Sequence, residues 1–327
     1  MDKAVDKKLL SVVVPAYNEE AVLEIFHTRM SALFDALPNY RCEMIFVNDG
    51  SRDRTQDIIE RLCDTDPRVA GVNLSRNFGK EIAMTAGFDH ARGDAVVIID
   101  ADLQDPPELI MDMVREWENG YDVVYAKRTQ RDGETWLKKA TASAFYKLMK
   151  KTSRVSIPQD TGDFRLMSRR SVDALLQLRE QHRFMKGLFA WVGFKTKAIE
   201  YRRDPRAAGE TKFNYWKLWN FALEGITSFT IAPLKIATYL GLFIAAFSFA
   251  EICYIVGKKL IYGDVVRGYP SMMVTILFLG GVQLLFIGVL GEYLGRIFNE
   301  TKGRPLYFAQ DVLPSRISNT QCTQEQQ

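Results

Sequence analysis

The chain has 327 residues, of which 47% are hydrophobic and 25% are charged, and its formal net charge is +3. This length allows one large domain with an appendage, and the balanced charge gives no reason to expect a nucleic-acid partner. The four cysteines and three histidines show neither paired nor metal-ligand spacing, so neither a disulfide framework nor a zinc site is indicated.

The first two hundred residues alternate short apolar runs with helix-length segments. Strands separated in this way indicate right-handed βαβ units and a buried parallel sheet. Polar turn residues follow the first three runs, and neither GxGxxG nor GxxxxGK[ST] occurs at the expected places. We predict a Rossmann-like α/β domain over residues 1–201, with a ligand cleft along these turns. The five predicted strands are 10–15, 43–48, 69–74, 95–100 and 123–126.

The fourth run ends in two closely spaced carboxylates, Asp100 and Asp102. Strand side chains alternate with period two, so both would leave the strand on one side and could hold one hard cation. The carboxyl end of a buried parallel strand is where open α/β sheets bind ligands, and a cation there would neutralise a departing diphosphate. The alternative is a solvated acidic turn that caps the next helix.

Two long segments, 231–257 and 268–291, are almost free of charge. Each exceeds the roughly 20 apolar residues that cross a bilayer, although buried core helices are the alternative. We predict two transmembrane helices over 231–298. No signal peptide is evident, so we expect the N-terminal domain and both termini to be cytoplasmic, with 299–327 a partly disordered tail. Basic residues after the second span agree with this orientation, whereas those in the loop between the spans argue against it.

Two further stretches, 136–151 and 213–229, mix lysines with aromatic and aliphatic residues. Basic amphipathic helices of this kind lie on anionic lipid surfaces. For the first stretch we favour packing against the sheet domain. The second leads directly into the first span, so we favour the membrane and predict a juxtamembrane loop and amphipathic helix over 202–230.

Five motifs in a fixed order give a specific resemblance. Together with the two spans they resemble family 2 glycosyltransferases of the GT-A fold. More narrowly, the chain is similar over nearly its whole length to the polyprenyl-phosphate glycosyltransferases, which include dolichol-phosphate mannose synthase and the bactoprenol glucosyltransferases of the GtrB type. The motifs are SVVVPAYNEE at 11–20, VNDGSRDRT at 47–55, LSRNFGKEIAMTAGF at 74–88, DADLQDPPE at 100–108 and GDFRLMSRR at 162–170.

The resemblance implies a nucleotide-sugar site along the strand ends. In physical terms, Tyr17 offers a stacking face, Asp49 an acceptor for a base N–H, and Lys80 a point charge for a phosphate. Gly79 would permit close backbone approach. Capping or packing roles are the alternatives, and a surface role is the alternative for Arg128. The implied residues are Pro15, Tyr17, Asn18, Glu19, Asp49, Ser51, Asn77, Gly79, Lys80, Asp100, Asp102, Gln104 and Arg128.

The resemblance also implies a divalent cation, Mg²⁺ or Mn²⁺, at the DxD element. We expect Asp102 to bind the cation, Asp100 to bind the cation or the ribose, and Gln104 to lie in the outer shell or at the diphosphate. Asp102 would thereby stabilise the leaving group. Asp163 matches the catalytic carboxylate, with Asp160 the alternative. Since a phosphate monoester has its second pKa near about 6, we hypothesise that Asp163 orients the substrates more than it abstracts a proton.

The acceptor phosphate implied by the resemblance needs a cationic cradle at the membrane surface, and arginine clusters suit phosphate. A basic run that merely binds lipid headgroups is the alternative. We expect Arg169 to face the same side as this cradle. The candidate cradle consists of Arg165, Arg202, Arg203, Arg206 and Lys212.

The expected activity is inverting transfer of one glucose from UDP-glucose to undecaprenyl phosphate on the cytoplasmic leaflet of a bacterial inner membrane, giving polyprenyl-phosphate glucose and UDP. One alternative is a GDP-mannose or other hexose donor. Another is a processive polysaccharide synthase, whose QxxRW element is not matched at 181–184, and a third is a non-catalytic nucleotide-sugar-binding scaffold. A homo-oligomer is left open, because polar residues in the spans are costly in lipid and Gly280 and Gly281 would permit close helix packing.

Overall fold

The computed structural model describes residues 7–129, 161–201, 232–262 and 268–317. Eight strands form one sheet, and helices cover both of its faces. The strands are β1 (Leu9–Ala16), β2 (Arg41–Asn48), β3 (Val69–Leu74), β4 (Ala95–Ile98), β5 (Val123–Arg128), β6 (Thr161–Ser168), β7 (Thr196–Tyr201) and β8 (Ala309–Leu313). The helices are α1 (Leu23–Asp35), α2 (Thr55–Thr65), α3 (Lys80–His90), α4 (Leu109–Glu118), α5 (Arg169–Leu176), α6 (Met185–Trp191), α7 (Ala232–Tyr262) and α8 (Tyr269–Thr301).

The strand order is β7-β5-β6-β4-β1-β2-β3-β8. Strands β1 to β4 run parallel, as the βαβ pattern predicts. The sheet also contains two antiparallel strands that were not predicted: β6 lies antiparallel between β4 and β5, and β8 lies antiparallel to β3. An antiparallel strand starts at the edge where its neighbours end. Strand β6 therefore begins at the carboxyl edge of β4, where the DxD carboxylates also lie.

The core consists of two apolar layers, one on each face of the sheet. On one face Phe26 and Ile59 pack against strand residues such as Val12 and Phe46. On the other face Val13 packs with the apolar residues of α3, α5 and α6. Strand β1 is buried on both faces, which explains its nearly continuous apolar run. This rigid sheet fixes the positions of the loops at its carboxyl edge.

Helices α7 and α8 contact each other, and both are long and apolar enough to cross a membrane by length and composition. Their large apolar side chains, such as Phe243, Phe247 and Leu284, are exposed. Glu292 forms an ion pair of 3.1 Å with Arg296 one turn further along α8, so this acid needs no second chain as a partner. Within the described residues, no atom lies within 4 Å of a Cβ built at Gly280 or at Gly281.

After α8 the chain returns to the sheet. Strand β8 pairs with β3 and forms one edge of the sheet. Beyond it, Ser315 Oγ donates to the buried Glu43 at 2.9 Å, and the Arg316 N–H donates to the Pro67 carbonyl at 2.8 Å. This strand was not predicted, because residues 299–327 were expected to form a partly disordered tail. The reason is that β8 is short and exposed, so it carries no apolar alternation.

Candidate active site

The candidate site lies where β4 ends and β6 begins. Ile98 pairs with Arg165 in the antiparallel register, so the residues that follow β4 and those that begin β6 lie at the same edge of the sheet. Lys80, the first residue of α3, reaches both of these carboxylates. Its Nζ lies 2.7 Å from Asp100 and 2.6 Å from Asp163. Three residues from three separate motifs therefore form one charged cluster.

The cluster fixes the charge of its members. The protein desolvates the Lys80 ammonium, but the two carboxylates raise the pKa of Lys80 well above its usual range. Burial would raise the pKa of Asp163, but the ammonium groups of Lys80 and Lys186 hold the pKa of this carboxyl well below its usual range. Asp163 is therefore ionised at neutral pH. Its Oδ1 is buried and has no hydrogen-bond partner among the described residues.

The two DxD carboxylates lie beyond β4 rather than in it, since the strand ends at Ile98. Strand alternation therefore does not determine on which side the two carboxylates lie. The residues after them form a turn, with Leu103 at φ 56°. The Gln104 N–H donates to Asp102 Oδ1 at 3.1 Å, which holds this turn. The described residues contain no group of three or more His, Cys, Asp or Glu side chains that could hold a metal. Two carboxylates completed by substrate phosphates do suit Mg²⁺, so the donor set fits a cation shared with a diphosphate.

The turns after β1 and β2 are joined by hydrogen bonds. The Asn18 N–H donates to Ser51 Oγ at 3.0 Å, and Asn18 Oδ1 accepts the Arg52 N–H at 2.8 Å. The Glu19 N–H donates to the hydroxyl of Thr55 at 2.9 Å, while Pro15 lies inside β1. Tyr17 precedes this junction and is 37% exposed, which leaves it accessible for stacking on a base. The first two motifs therefore build one rigid loop pair.

Asp49 ties the third turn to the second. Its carboxylate accepts the N–H of Phe78 at 2.7 Å and that of Gly79 at 3.0 Å, while Asn77 Nδ2 donates to the Asp49 carbonyl at 3.2 Å. Burial raises the pKa of Asp49. A base N–H would thus be an additional partner for this carboxylate. Gly79 has φ 99°, a backbone conformation that favours glycine, and no described atom lies within 4 Å of a built Cβ, so the space that a ligand would need beside it is open.

Arg165 and Arg169 do not have the placement that was predicted for them on the acceptor side of the site. Arg165 is buried, with its guanidinium 3.7 Å from the centre of the Phe189 ring, and it donates to the carbonyls of Gly162 and Asp163. This placement does not fit the predicted phosphate contact, because the side chain is used to hold the start of β6. Arg169 donates to the carbonyls of Gly93 and Ala91, before β4, so the expectation that it faces the acceptor is wrong.

Arg128 lies at the end of β5. Its Nε donates to the hydroxyl of Tyr201 at 3.4 Å, and the Tyr201 hydroxyl donates to the buried carboxylate of Asp105. Although burial acts against the charge, the Tyr201 contact and the carboxylates of Asp105 and Asp100 raise the pKa of Arg128. It stays a candidate for the diphosphate. Asp105, in contrast, accepts a hydrogen bond from Tyr201. The spacing of the fourth motif alone does not show whether this aspartate has a structural role or binds a ligand.

The structure adds two charged residues that no motif assigned. Glu81 Oε2 accepts the N–H of Met185 at 2.9 Å, and burial raises the pKa of Glu81 to about 7. Lys186 follows Met185 and acts electrostatically on Asp163. Glu81 follows Lys80 in the third motif, and this position could have identified it as a site residue. Lys186 lies in none of the five motifs. The candidates Asp160, Arg202, Arg203, Arg206 and Lys212, and the stretches 136–151 and 213–229, lie outside the described residues.

The fold and the site define a glycosyltransferase with a GT-A-like catalytic domain. A model of glycosyl transferase family 2 matches residues 11–176, and a model of the GtrB C-terminal hairpin matches residues 232–297. The chain belongs to glycosyltransferase family 2 and carries the GtrB hairpin. It is a hexosyltransferase of this family.

Relatives resemble the chain over nearly its full length. It is 52% identical to a bactoprenol glucosyl transferase of Shigella phage SfX, over 91% of this chain and 97% of that protein. It is 50% identical to a prophage bactoprenol glucosyl transferase homolog of Escherichia coli K12, over 93% of this chain and 99% of that protein. A crystal structure of glucosyl-3-phosphoglycerate synthase from Mycobacterium tuberculosis with Mn²⁺, UDP-glucose and phosphoglyceric acid is 21% identical, with TM-score 0.43, and covers 66% of this chain and 76% of that chain.

Proposed function

We propose that this enzyme moves one glucose from UDP-glucose to a polyprenyl phosphate, with undecaprenyl phosphate as the acceptor and UDP as the second product. The bactoprenol glucosyl transferases at 50–52% identity support the acceptor class and the sugar. The observation that carries the proposal is the cluster of Lys80, Asp100 and Asp163, because it joins the expected donor motifs to the expected catalytic carboxylate.

The mechanism that we propose is a single in-line displacement with inversion. An oxygen of the acceptor phosphate forms a bond to the anomeric carbon while the bond from that carbon to the UDP diphosphate breaks. Asp163 is ionised and held by Lys80, so it orients the reactants, and an acceptor dianion needs no base. Lys80 and Arg128 provide positive charge that favours departure of the diphosphate. Asp100 and Asp102 would hold Mg²⁺ or Mn²⁺, with Gln104 in the outer shell, and the cation supplies further charge neutralisation.

We also propose that α7 and α8 form a membrane hairpin with the catalytic domain in the cytoplasm, where it uses the inner leaflet. Strand β8 follows α8 and pairs with β3, so the chain on either side of the two helices belongs to one sheet. Both ends of a hairpin that crosses twice lie on one side of the membrane, which agrees with this pairing. The cytoplasm is the side on which nucleotide sugars are made. A homo-oligomer stays an untested prediction.

The test is transfer of radiolabel from UDP-glucose to undecaprenyl phosphate by the purified full chain, with extraction of the product into organic solvent. We expect a lipid with one glucose in Mg²⁺ or Mn²⁺, and loss of product with EDTA or with Asp102→Ala. A polymeric product would indicate a processive synthase, and label only from GDP-mannose would change the donor. No transfer from any donor would overturn the assignment and favour a non-catalytic scaffold.

A further inference from the structure

Lys186 is a lysine near the candidate active site for which the described residues provide no hydrogen-bond or ion-pair partner. It lies in the first turn of α6 and is partly buried. The charged groups that act on it are Asp163, Lys80, Glu81 and Arg128. Among the described acids, none forms an ion pair with Lys186 in the way that Asp100 and Asp163 do with Lys80. In the described part of the chain, Lys186 is therefore a cation that feels the charge of Asp163 but has no paired anion.

The position of Lys186 is fixed by its neighbours in α6. The Met185 N–H donates to Glu81 Oε2 at 2.9 Å, which ties the start of α6 to α3 next to Lys80. One turn further on, the Phe189 ring packs against the guanidinium of Arg165 at 3.7 Å and against Phe88. Both contacts involve residues that adjoin the charged cluster. These contacts fix the backbone of α6 at Lys186 beside the charged cluster.

Burial lowers the pKa of Lys186, which shows that its charge is incompletely compensated by the protein. A partly desolvated ammonium gains most from an anion that arrives with the substrate, and a phosphate dianion is the strongest anion in this reaction. Both substrates carry phosphate. The position of Lys186 must therefore indicate whether it binds the phosphate of the donor or that of the acceptor.

The geometry favours the acceptor. Asp100 and Asp102 mark the side of the donor diphosphate, and Lys80 forms an ion pair with Asp100 on that side. The segment before α6 instead contacts the end of α8, since the Gln181 N–H donates to Glu300 at 2.8 Å and Asn299 Nδ2 lies 3.1 Å from His182 Nε2. Lys186 thus follows a segment that contacts the end of α8, and it lies in the helix that is tied to α3 beside Lys80. With α7 and α8 in the bilayer, a lipid phosphate would approach the site from this side.

We propose that Lys186 binds the phosphate of the polyprenyl acceptor and holds it beside Asp163. This inference rests on the proposed function. It names a phosphate ligand within the described part of the chain, where the buried Arg165 does not fit that role.

The test compares Lys186→Met with Lys186→Arg in the purified full chain. Methionine keeps the length of the side chain and removes a desolvated charge, so the fold should tolerate it. We expect Lys186→Met to raise KM for undecaprenyl phosphate about tenfold or more, as for loss of a charged hydrogen bond. KM for UDP-glucose and the Kd of UDP, measured by calorimetry, should stay within about twofold of the unsubstituted enzyme. Lys186→Arg should restore most of the acceptor KM, and Lys195→Met, at an exposed lysine near Tyr121, is the matched control.

The outcomes separate this inference from the proposed function. If the unsubstituted enzyme makes no glucosyl lipid, the proposed function fails. If it makes the lipid and Lys186→Met leaves the acceptor KM unchanged, the inference about Lys186 is overturned. A rise in KM for UDP-glucose with weaker UDP binding would place Lys186 on the donor side and overturn it as well. If Lys186→Met does not fold, Lys186→Arg is compared with the neutral variant Lys186→Gln. An equal rise of the acceptor KM in both variants would also overturn the inference about Lys186.

Discussion

Asp163 illustrates how neighbours set the role of one carboxylate. A general base must accept a proton near the working pH, whereas Lys80 and Lys186 hold the pKa of Asp163 well below its usual range. An acid that stays ionised and paired is suited to orienting reactants. Lys80 has a matching role, because it joins this carboxylate to Asp100 of the DxD element.

The first prediction concerns Asp163→Asn. Asparagine keeps an oxygen that can accept from Lys80, and the acceptor is mostly a dianion above about pH 6. We therefore expect kcat at pH 8 to fall only about tenfold and activity to be lost further at acidic pH, where the acceptor takes up a proton. A pH series of kcat for both enzymes measures this. Complete loss of activity at pH 8 as well as at pH 6 would contradict the orienting role.

The second prediction concerns Glu81 and stability. Burial, with Asp163 as a further cause, raises the pKa of Glu81 to about 7 in the folded chain from an ordinary value of 4.5. The folded state binds the proton more tightly, so this stability is full below about pH 4.5 and is lost as pH rises through about 7. We expect Glu81→Gln to reduce the fall in Tm between pH 5 and pH 8 by several degrees. Glu60→Gln, at an exposed glutamate of α2, should leave that fall unchanged.

At the scale of elements, the loops at the carboxyl edge depend on one close approach. A Cβ at Gly50 would lie 2.4 Å from the backbone carbon of Arg76, and Gly50 has φ 63°. The turn after β2 therefore packs directly on the backbone of the turn after β3. The same two turns hold Asp49, Asn77 and Lys80 in their relative positions.

The third prediction separates this contact from backbone conformation. In Gly50→Ala the new Cβ clashes with backbone atoms and the residue has a positive φ. In Gly120→Ala the residue has a positive φ of 85°, but no described atom lies within 4 Å of the new Cβ. We expect Gly120→Ala to cost about 1 kcal/mol of unfolding free energy, and Gly50→Ala to cost at least about 2 kcal/mol and to weaken UDP binding. Denaturant unfolding and calorimetry measure the two effects. Equal costs with unchanged UDP binding would show that the close approach is unimportant.

The sequence predicted those parts of the site that depend on local motifs. The shared edge of the turns after β1, β2 and β3 follows from parallel strands, whereas the role of Asp163 was expected from the resemblance alone. The orientation of Arg165 did not follow, because it depends on Phe189 in a helix more than twenty residues away. The antiparallel direction of β6 and the addition of β8 did not follow either. Strand pairing between distant segments is set by packing and register, which single motifs do not encode.

At the scale of the whole molecule, the segment after α8 is part of the catalytic domain. Ser315 donates to Glu43, and Glu43 also accepts from Ser11 and Arg92, so the segment completes a hydrogen-bond network at the amino end of β1 and β4. An unsatisfied buried carboxylate is costly, and an uncovered edge of β3 invites association with other chains.

The fourth prediction follows from this docking. Removal of residues 303–327 should lower Tm by several degrees and promote aggregation, because it uncovers β3 and deprives Glu43 of a partner. Removal of 318–327 alone leaves every described contact in place and should change neither property. Thermal unfolding and light scattering in the same detergent compare the two truncations. Identical behaviour of both would mean that β8 contributes nothing to stability.

The two outer strands of the sheet are β7 and β8, and helices α7 and α8 lie between them in the chain. The chain leaves one edge of the sheet after Tyr201 and rejoins the opposite edge at Ala309. With seven strand spacings between them, these attachments are roughly 34 Å apart. A body joined to a surface at one point can swivel freely, whereas two separated points leave it one axis of rotation. With α7 and α8 in the bilayer, two separated attachments would limit how far the loop edge of the sheet can turn away from the lipid phosphates.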